Sequence, residues 1–185
     1  MQRKVGKKAI VGVVTITNAN IWEPISINGS KLMYTATILI SKHDTKSLEG
    51  VNMAIEKAIQ EGLAIHRGSF RRMSQSNLPL HDFTEDETSP LYGYYVINAS
   101  STEPPIILDH KVFPITDKNE VGEGSRVRVS LSFYPAVNGK KYCVGCRLGN
   151  IQKSLTKETK KLPSLDFDWC HEEFLRILYE SKLPT

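Results

Sequence analysis

RVRVSLSFYPAVNGKKYCVGCRLGNIQK, residues 126–153, is the stretch that decides the expected fold. It predicts two β-strands joined by Asn138-Gly139, a dipeptide typical of tight hairpin turns. Successive side chains of a strand point to opposite faces, so the first strand separates an apolar face from a polar one. The apolar face, which suits a core, holds Val127, Val129, Leu131 and Phe133. The polar face presents Arg126, Arg128, Ser130, Ser132 and Tyr134.

The polar face of this first strand suits single-stranded nucleic acid. Phosphates need positive charge, which two guanidinium groups supply, and unpaired bases need flat surfaces such as the Tyr134 ring. An ordinary solvated strand face has the same alternation, so for the strand alone both interpretations stay open.

In the second strand, either of the two alternating sets of side chains can face the core, which gives two possible phases. In the first phase Tyr142, Val144, Cys146 and Leu148 face the core. The open face then carries Lys141, Cys143, Gly145 and Arg147, and Gly145 leaves a flat patch that a base can approach. In the opposite phase Tyr142 becomes the exposed stacking residue and Arg147 folds its stem inward. The sequence alone does not choose between them.

Composition indicates one ordinary globular domain. The chain has 185 residues, of which 40% are hydrophobic and 24% charged, and its formal net charge is +4. This size and composition suit a single core, and the charge favours anionic partners only mildly. No apolar run approaches the length of a membrane span, and three cysteines imply no complete disulfide framework. The reducing cytoplasm is the expected compartment.

Several short β-rich runs with one helix indicate a mainly β fold with flanking helices, a small barrel or a partly open sheet. The expected strands include Ala9–Asn18, Lys31–Ser41 and Tyr92–Ala99. The helix is expected to begin after the N-cap Asp44 and to end near Gly62. We therefore expect a basic N-terminal arm (residues 1–8), a barrel domain (residues 9–156), and a linker with a C-terminal helix or tail (residues 157–185).

Two other clusters raise the question of metal or redox chemistry. Cys143 and Cys146 form a C-x-x-C pair, which is found in zinc and redox sites. Structural cysteines are the favoured interpretation, because positions 143 and 146 of a continuous strand face opposite sides. The acidic segment Asp82–Glu87, with Asp82, Glu85 and Asp86, has the carboxylates that metal-dependent nucleases use, although a solvated loop has the same composition.

The order of the motifs resembles a phage family of single-stranded DNA-binding proteins. The resemblance rests on four segments: ANIWEPISINGSKLMYTATILISKHD, TKSLEGVNMAIEKAIQEG, YGYYVINASSTEPPIILD and PITDKNEVGEGSRVRVSLSFYPAVNGKKYCVGCRLGNIQKS. Lys42 and Asp44 precede the helix as in that family. Its hairpin motifs appear as Tyr134-Pro135, Asn138-Gly139, Gly145, Leu148 and Ile151-Gln152. The resemblance covers about residues 9–153, and its order and spacing carry more information than any single motif.

The resemblance implies an oligonucleotide/oligosaccharide-binding (OB) fold, similar to the replication ssDNA-binding proteins of short-tailed phages. It implies coating of single-stranded DNA in phage replication, recombination and repair, without a catalytic residue or cofactor. Phage replication or recombination proteins are the expected protein partners. Many replication ssDNA-binding proteins end in an acidic tail that recruits partners. This chain departs from that pattern, because Arg176 and Lys182 follow its C-terminal acids Asp166, Asp168, Glu172 and Glu173. The C-x-x-C pair is a second departure.

Residue patterns and resemblance together give one set of candidate DNA-binding residues. Expected phosphate contacts are Arg126, Arg128, Lys140, Lys141, Arg147, Lys153 and Lys31. Expected stacking residues are Tyr134, Tyr142 and Trp22, and Trp22 is placed in a loop, where a core lid is the alternative role. A metal-dependent nuclease using the acidic segment is the alternative function, and a structural or host-interaction protein is a third. A homodimer through the terminal helix, with Trp169, Phe174 and Leu178, is a further expectation.

Overall fold

The computed structural model describes residues 7–26, 29, 31–66, 77–82, 87–89, 91–138 and 141–155. Several expectations lie outside these residues: the arm over residues 1–6, the acids at 85 and 86, Gly139, Lys140, and the terminal helix. The elements in chain order are β1 (Lys8–Ser26), β2 (Leu32–Ser41), α1 (Thr45–His66), β3 (Leu80–Asp82), β4 (Tyr94–Ser101), β5 (Ile107–Leu108), β6 (Arg126–Asn138) and β7 (Lys141–Lys153).

Five of these strands close into a barrel. Hydrogen-bonded neighbours follow the order β4, β2, β1, β6 and β7, and a parallel bridge between Ser100 of β4 and Arg147 of β7 completes the ring. The two short strands β3 and β5 extend the sheet beside β4 and β7. Closure removes the exposed edges of the main strands, as it does in OB-like barrels. The expected mainly β, barrel-type fold is confirmed.

The hairpin supplies much of the barrel core. In β6 the side chains of Val127, Val129, Leu131 and Phe133 are at most 1% exposed, as the alternation predicts. In β7 the buried side chains are Val144, Cys146, Leu148 and, beyond a bulge, Ile151. The first of the two phases considered for β7 is therefore the observed one, and Tyr142 is half-buried against the core.

Helix α1 covers the barrel at β1 and β6. Asp44 caps it as expected, since its Oδ1 accepts a hydrogen bond from the Ser47 N–H at 3.1 Å. Ser47 Oγ in turn accepts from the Gly12 N–H at 2.7 Å, which ties the first turn to β1. The helix end expected near Gly62 is wrong. Gly62 is buried on the barrel side and Leu63 packs on the core, so burial keeps the chain helical to His66.

Strand β1 is longer than the sequence pattern predicted, at both ends. Lys8, expected in the basic arm, pairs with Ser132 and begins the strand. At the other end β1 continues through register shifts beyond Thr17, and Asn18 takes a φ of 45°. Such irregularities bend a strand around a barrel without ending it. Trp22 therefore lies in β1, and its expected loop position is wrong.

Gly149 marks a bulge in the hairpin. Between the pairs Val129↔Ile151 and Leu131↔Leu148, Ser130 alone faces Gly149 and Asn150. A Cβ on Gly149 would overlap Ser130 Oγ and lie 2.7 Å from the Ser130 backbone oxygen. The Ser130 hydroxyl is itself held by the Asn150 N–H at 2.8 Å. The bulge therefore has no room for a side chain.

We expect Gly149→Ala to lower the free energy of unfolding by about 1–3 kcal/mol, the usual cost of overpacking. Urea denaturation followed by circular dichroism measures it. Gly50→Ala is the matched control, because nothing lies within 4 Å of a Cβ built there on α1. Alanine favours helix more than glycine by roughly 1 kcal/mol, so the control should gain stability. Equal stability of Gly149→Ala and wild type would contradict the tight bulge.

Candidate nucleic-acid interface

The outer face of the β6–β7 hairpin presents the aromatic ring of Tyr134, which lies over Gly145. Tyr134 pairs with Gly145 across the hairpin, and its ring occupies the space that a side chain at Gly145 would fill. A Cβ at Gly145 would lie 2.6 Å from Tyr134 Cε2 and 2.7 Å from its hydroxyl oxygen. The absence of a side chain at Gly145 thus leaves the space in which the ring lies, and 39% of the Tyr134 residue remains exposed.

The Tyr134 ring also has a cationic neighbour. The Arg147 guanidinium carbon lies 5.8 Å from the ring centroid, within the range of a cation–π contact. Burial raises the pKa of the Tyr134 hydroxyl above its usual value, and the opposing effect of Arg147 does not cancel the rise. The phenol therefore stays neutral at physiological pH. A neutral ring that lies over Gly145, with a guanidinium nearby, suits stacking on a base whose phosphate the guanidinium binds.

Three hairpin cations remain available to a ligand. Arg128, Lys141 and Arg147 are exposed, and none of them forms an ion pair with another described residue. Lys153 differs, because its Nζ lies 3.1 Å from Glu120 Oε2. Arg126 is half-buried, and its Nε is buried without a hydrogen-bond partner among the described residues. The open face of the hairpin thus carries three cations that have no ion pair with a described residue.

Of three other candidate residues, two are half-buried aromatics and the third lies outside the hairpin. Trp22 is half-buried, and its indole N–H donates to the Val121 carbonyl at 2.7 Å, a geometry that favours the core-lid role. The Tyr142 ring lies 5.2 Å from the His66 ring of α1 and packs on the core. Lys31 is exposed immediately before β2. Stacking by Trp22 and Tyr142 and a phosphate contact by Lys31 stay predictions.

Barrel closure adds residues that sequence reasoning did not assign to the site. Cross-strand pairing places six polar side chains side by side around the barrel, here called the polar belt: Lys8, Ser132, Arg147, Ser100, Thr35 and Asn20. The Asn20 side-chain amide donates to Thr35 Oγ1 at 3.0 Å within it. No local pattern signals the pairs Lys8–Ser132 and Ser100–Arg147, because each of them joins positions far apart in the chain. The belt extends the polar surface from the hairpin across β4 and β2.

The two hairpin cysteines lie on opposite faces, as strand alternation predicts. Cys146 is buried and Cys143 is half-buried on the outer face, with its Sγ 3.6 Å from the Ala136 carbonyl oxygen. Burial raises the pKa of both thiols. Since thiolate is the form that binds metal and attacks disulfides, this environment favours a structural role. Cys170 and His171 lie outside the described residues.

The acidic segment considered for metal binding is described only in part. Asp82 ends β3, and its Oδ1 lies 2.5 Å from Lys42 Nζ. Lys42 also lies 5.2 Å from the centroid of the Tyr95 ring, so this ion pair fastens β3 to the barrel. The described residues include no group of three or more His, Cys, Asp or Glu side chains arranged to hold a metal ion.

Within the described chain, no helix has the length and hydropathy to cross a membrane.

Comparisons with known proteins agree on one group. A family model described as the single-stranded DNA-binding protein of Enterobacter phage Enc34 matches residues 7–160. A solved structure of the Enc34 protein in complex with ssDNA is 18% identical, with a TM-score of 0.67 over 82% of this chain and 88% of that one. The structure of gp2.5, an ssDNA-binding protein encoded by bacteriophage T7, is 16% identical, with a TM-score of 0.61 over 87% and 99%. No curated protein sequence matches.

Proposed function

Since the chain belongs to the family of the single-stranded DNA-binding protein of Enterobacter phage Enc34, we propose that it binds single-stranded DNA on the outer face of the β6–β7 hairpin. Binding is tolerant of sequence, because phosphate capture and base stacking discriminate little between bases. The protein coats DNA strands exposed in phage replication, recombination and repair, in the cytoplasm of the bacterial host. Phage replication or recombination proteins are its expected protein partners.

One observation carries this proposal: the Tyr134 ring lies over Gly145, the Arg147 guanidinium lies over the ring, and 39% of the residue is exposed. A base stacks on the free side of the ring, and Arg147, Arg128 and Lys141 neutralise neighbouring phosphates. Because Gly145 supports the ring from below, less side-chain freedom is lost on binding. No step requires a metal, a nucleophile or a general base.

The test is fluorescence anisotropy with labelled oligo-dT and a matched duplex, in a salt series without magnesium. We expect tight binding to oligo-dT and weak binding to the duplex. The logarithm of the oligo-dT affinity should fall with the logarithm of salt by about 0.7 for each phosphate contacted. Weak and equal binding to both would reject the proposal, and would favour a structural or host-interaction protein.

The nuclease alternative has no support from the described residues. Of the three carboxylates considered, Asp82 alone is described, and it forms an ion pair with Lys42. The family is one of DNA-binding proteins. Incubating labelled oligo-dT with the protein and magnesium separates the two activities. Intact oligonucleotide is the expected result, and magnesium-dependent cleavage would overturn it.

The position of the Tyr134 ring over Gly145 can be tested by changing the glycine and keeping the tyrosine. Gly145→Ala puts a methyl group where the ring lies, so the ring must rotate away from the sheet. We expect oligo-dT affinity to fall about threefold to tenfold, part of what a stacked base contributes. The control is again Gly50→Ala. If Gly145→Ala binds oligo-dT with wild-type affinity, binding does not depend on the position of the Tyr134 ring over Gly145.

A further inference from the structure

Ile10 is the most exposed large hydrophobic side chain of the described residues, at 75%. It lies in β1 between Ala9 and Val11, which are 4% and 0% exposed, so alternation turns it to the outer face of the barrel. A single exposed apolar residue is ordinary on a protein surface. The neighbours of Ile10 are what make it informative.

Register places Ile10 beside the hairpin, within the same outer face as Tyr134. Ile10 pairs with Ser130 of β6, and Lys8 pairs with Ser132. Beyond Ser130 lies the bulge of Gly149 and Asn150, in which no side chain fits at position 149. Ile10 therefore stands at the edge of a shallow area formed by a serine and a glycine.

On the outer face of β1, β6 and β7, side chains that pair across the strands form rows. Successive rows are two residues apart along each strand, which is about 7 Å. The first row holds Tyr134 and Gly145, and the second holds the cations Lys8 and Arg147 on either side of Ser132. The third row has Ile10, Ser130 and Gly149, with the exposed Asn150 of the bulge next to Gly149, and the fourth has Arg128 beside Gln152. Rows that offer an apolar surface alternate with rows that carry positive charge.

We propose that Ile10 is a second base-contact position, with Lys8 and Arg128 as the phosphate contacts on its two sides. This proposal rests on the proposed function. Isoleucine is among the apolar side chains that contact base faces in protein–nucleic acid complexes. The serine and glycine beside it leave room for a flat base, and the flanking cations hold the strand there. Strand β1 thereby joins the hairpin as a third strand of the interface, about 13 Å from the Tyr134 row.

The test compares oligo-dT binding of Ile10→Ser, Ile10→Tyr and Lys8→Gln with the wild-type full chain. We expect Ile10→Ser to bind about threefold to tenfold more weakly, because apolar contact area is lost. Its salt slope should not change, since no charge is removed. Ile10→Tyr should bind at least as tightly as wild type, because a ring stacks better than an aliphatic chain. Lys8→Gln should reduce the salt slope by about 0.7.

Met53→Ser is the matched control. Met53 is 61% exposed on α1, on the side turned away from the barrel, so its loss should leave affinity unchanged. Thermal melts of all variants report on folding, and exposed substitutions should shift stability by no more than about 0.5 kcal/mol.

The outcomes separate this inference from the proposed function. If wild type does not bind oligo-dT, the proposed function fails. If wild type binds and Ile10→Ser binds equally well, only the Ile10 contact is overturned, and the exposed isoleucine then points to a protein partner. Equal weakening by serine and tyrosine would also overturn it, since the position would then reject any change in shape.

Discussion

Tyr134→Ala will weaken binding to oligo-dT by about 1–3 kcal/mol, the contribution of one stacked base to single-stranded DNA affinity. The ring is the exposed aromatic that lies directly on the hairpin face, and the sheet holds it in place at Gly145. Alanine removes the surface on which the base stacks and also the partner of the Arg147 guanidinium. The salt slope should stay close to that of wild type, because the charged groups remain.

Two further variants sharpen the Tyr134 result. Tyr134→Phe keeps the ring and removes the hydroxyl, so its affinity should stay close to wild type if stacking is the cause. Tyr92→Ala removes a tyrosine that is 46% exposed in the turn before β4 and should have little effect. If Tyr134→Phe loses as much affinity as Tyr134→Ala, the hydroxyl and not the ring makes the contact. Unchanged affinity in Tyr134→Ala would remove the residue from the site.

The double variant Arg128→Gln/Arg147→Gln will lower the salt slope of oligo-dT binding by about 1.4, which is 0.7 for each phosphate contact removed. Both guanidinium groups are exposed and form no ion pair with the described residues. Their positive charge is therefore available to phosphates, and counterions are released when DNA binds. The loss of affinity should be largest at low salt and should shrink as salt rises.

A control with the same change in net charge tests whether position matters. Lys46→Gln/Lys57→Gln also removes two positive charges, but from helix α1. We expect its salt slope to remain close to wild type, because direct phosphate contacts determine the slope. If both double variants lower the slope equally, the effect comes from overall charge, and the assignment of Arg128 and Arg147 to the interface is wrong.

Local patterns predicted the parts of this fold that local forces decide. The alternation in β6 identified which side chains enter the core, and the Asn138-Gly139 dipeptide identified the hairpin. Asp44 was recognised as an N-cap from its position before an apolar helical stripe. The helix end at Gly62 and the loop at Trp22 were wrong because packing against the barrel overrode the local signal. Propensity is weak beside burial at such positions.

The sequence by itself determined the two faces of the hairpin, because a strand turns successive side chains to opposite sides whatever it packs against. Only the tertiary structure decided which strands became neighbours. Barrel closure set Ser100 beside Arg147, and the pairing of β1 with β6 set Lys8 and Ile10 beside Ser132 and Ser130. Such contacts join residues more than 40 positions apart, and they depend on register, bulges and the packing of the whole core. No local pattern encodes them, which is why Tyr134 could be proposed as a site residue from the sequence and Ile10 only from the fold.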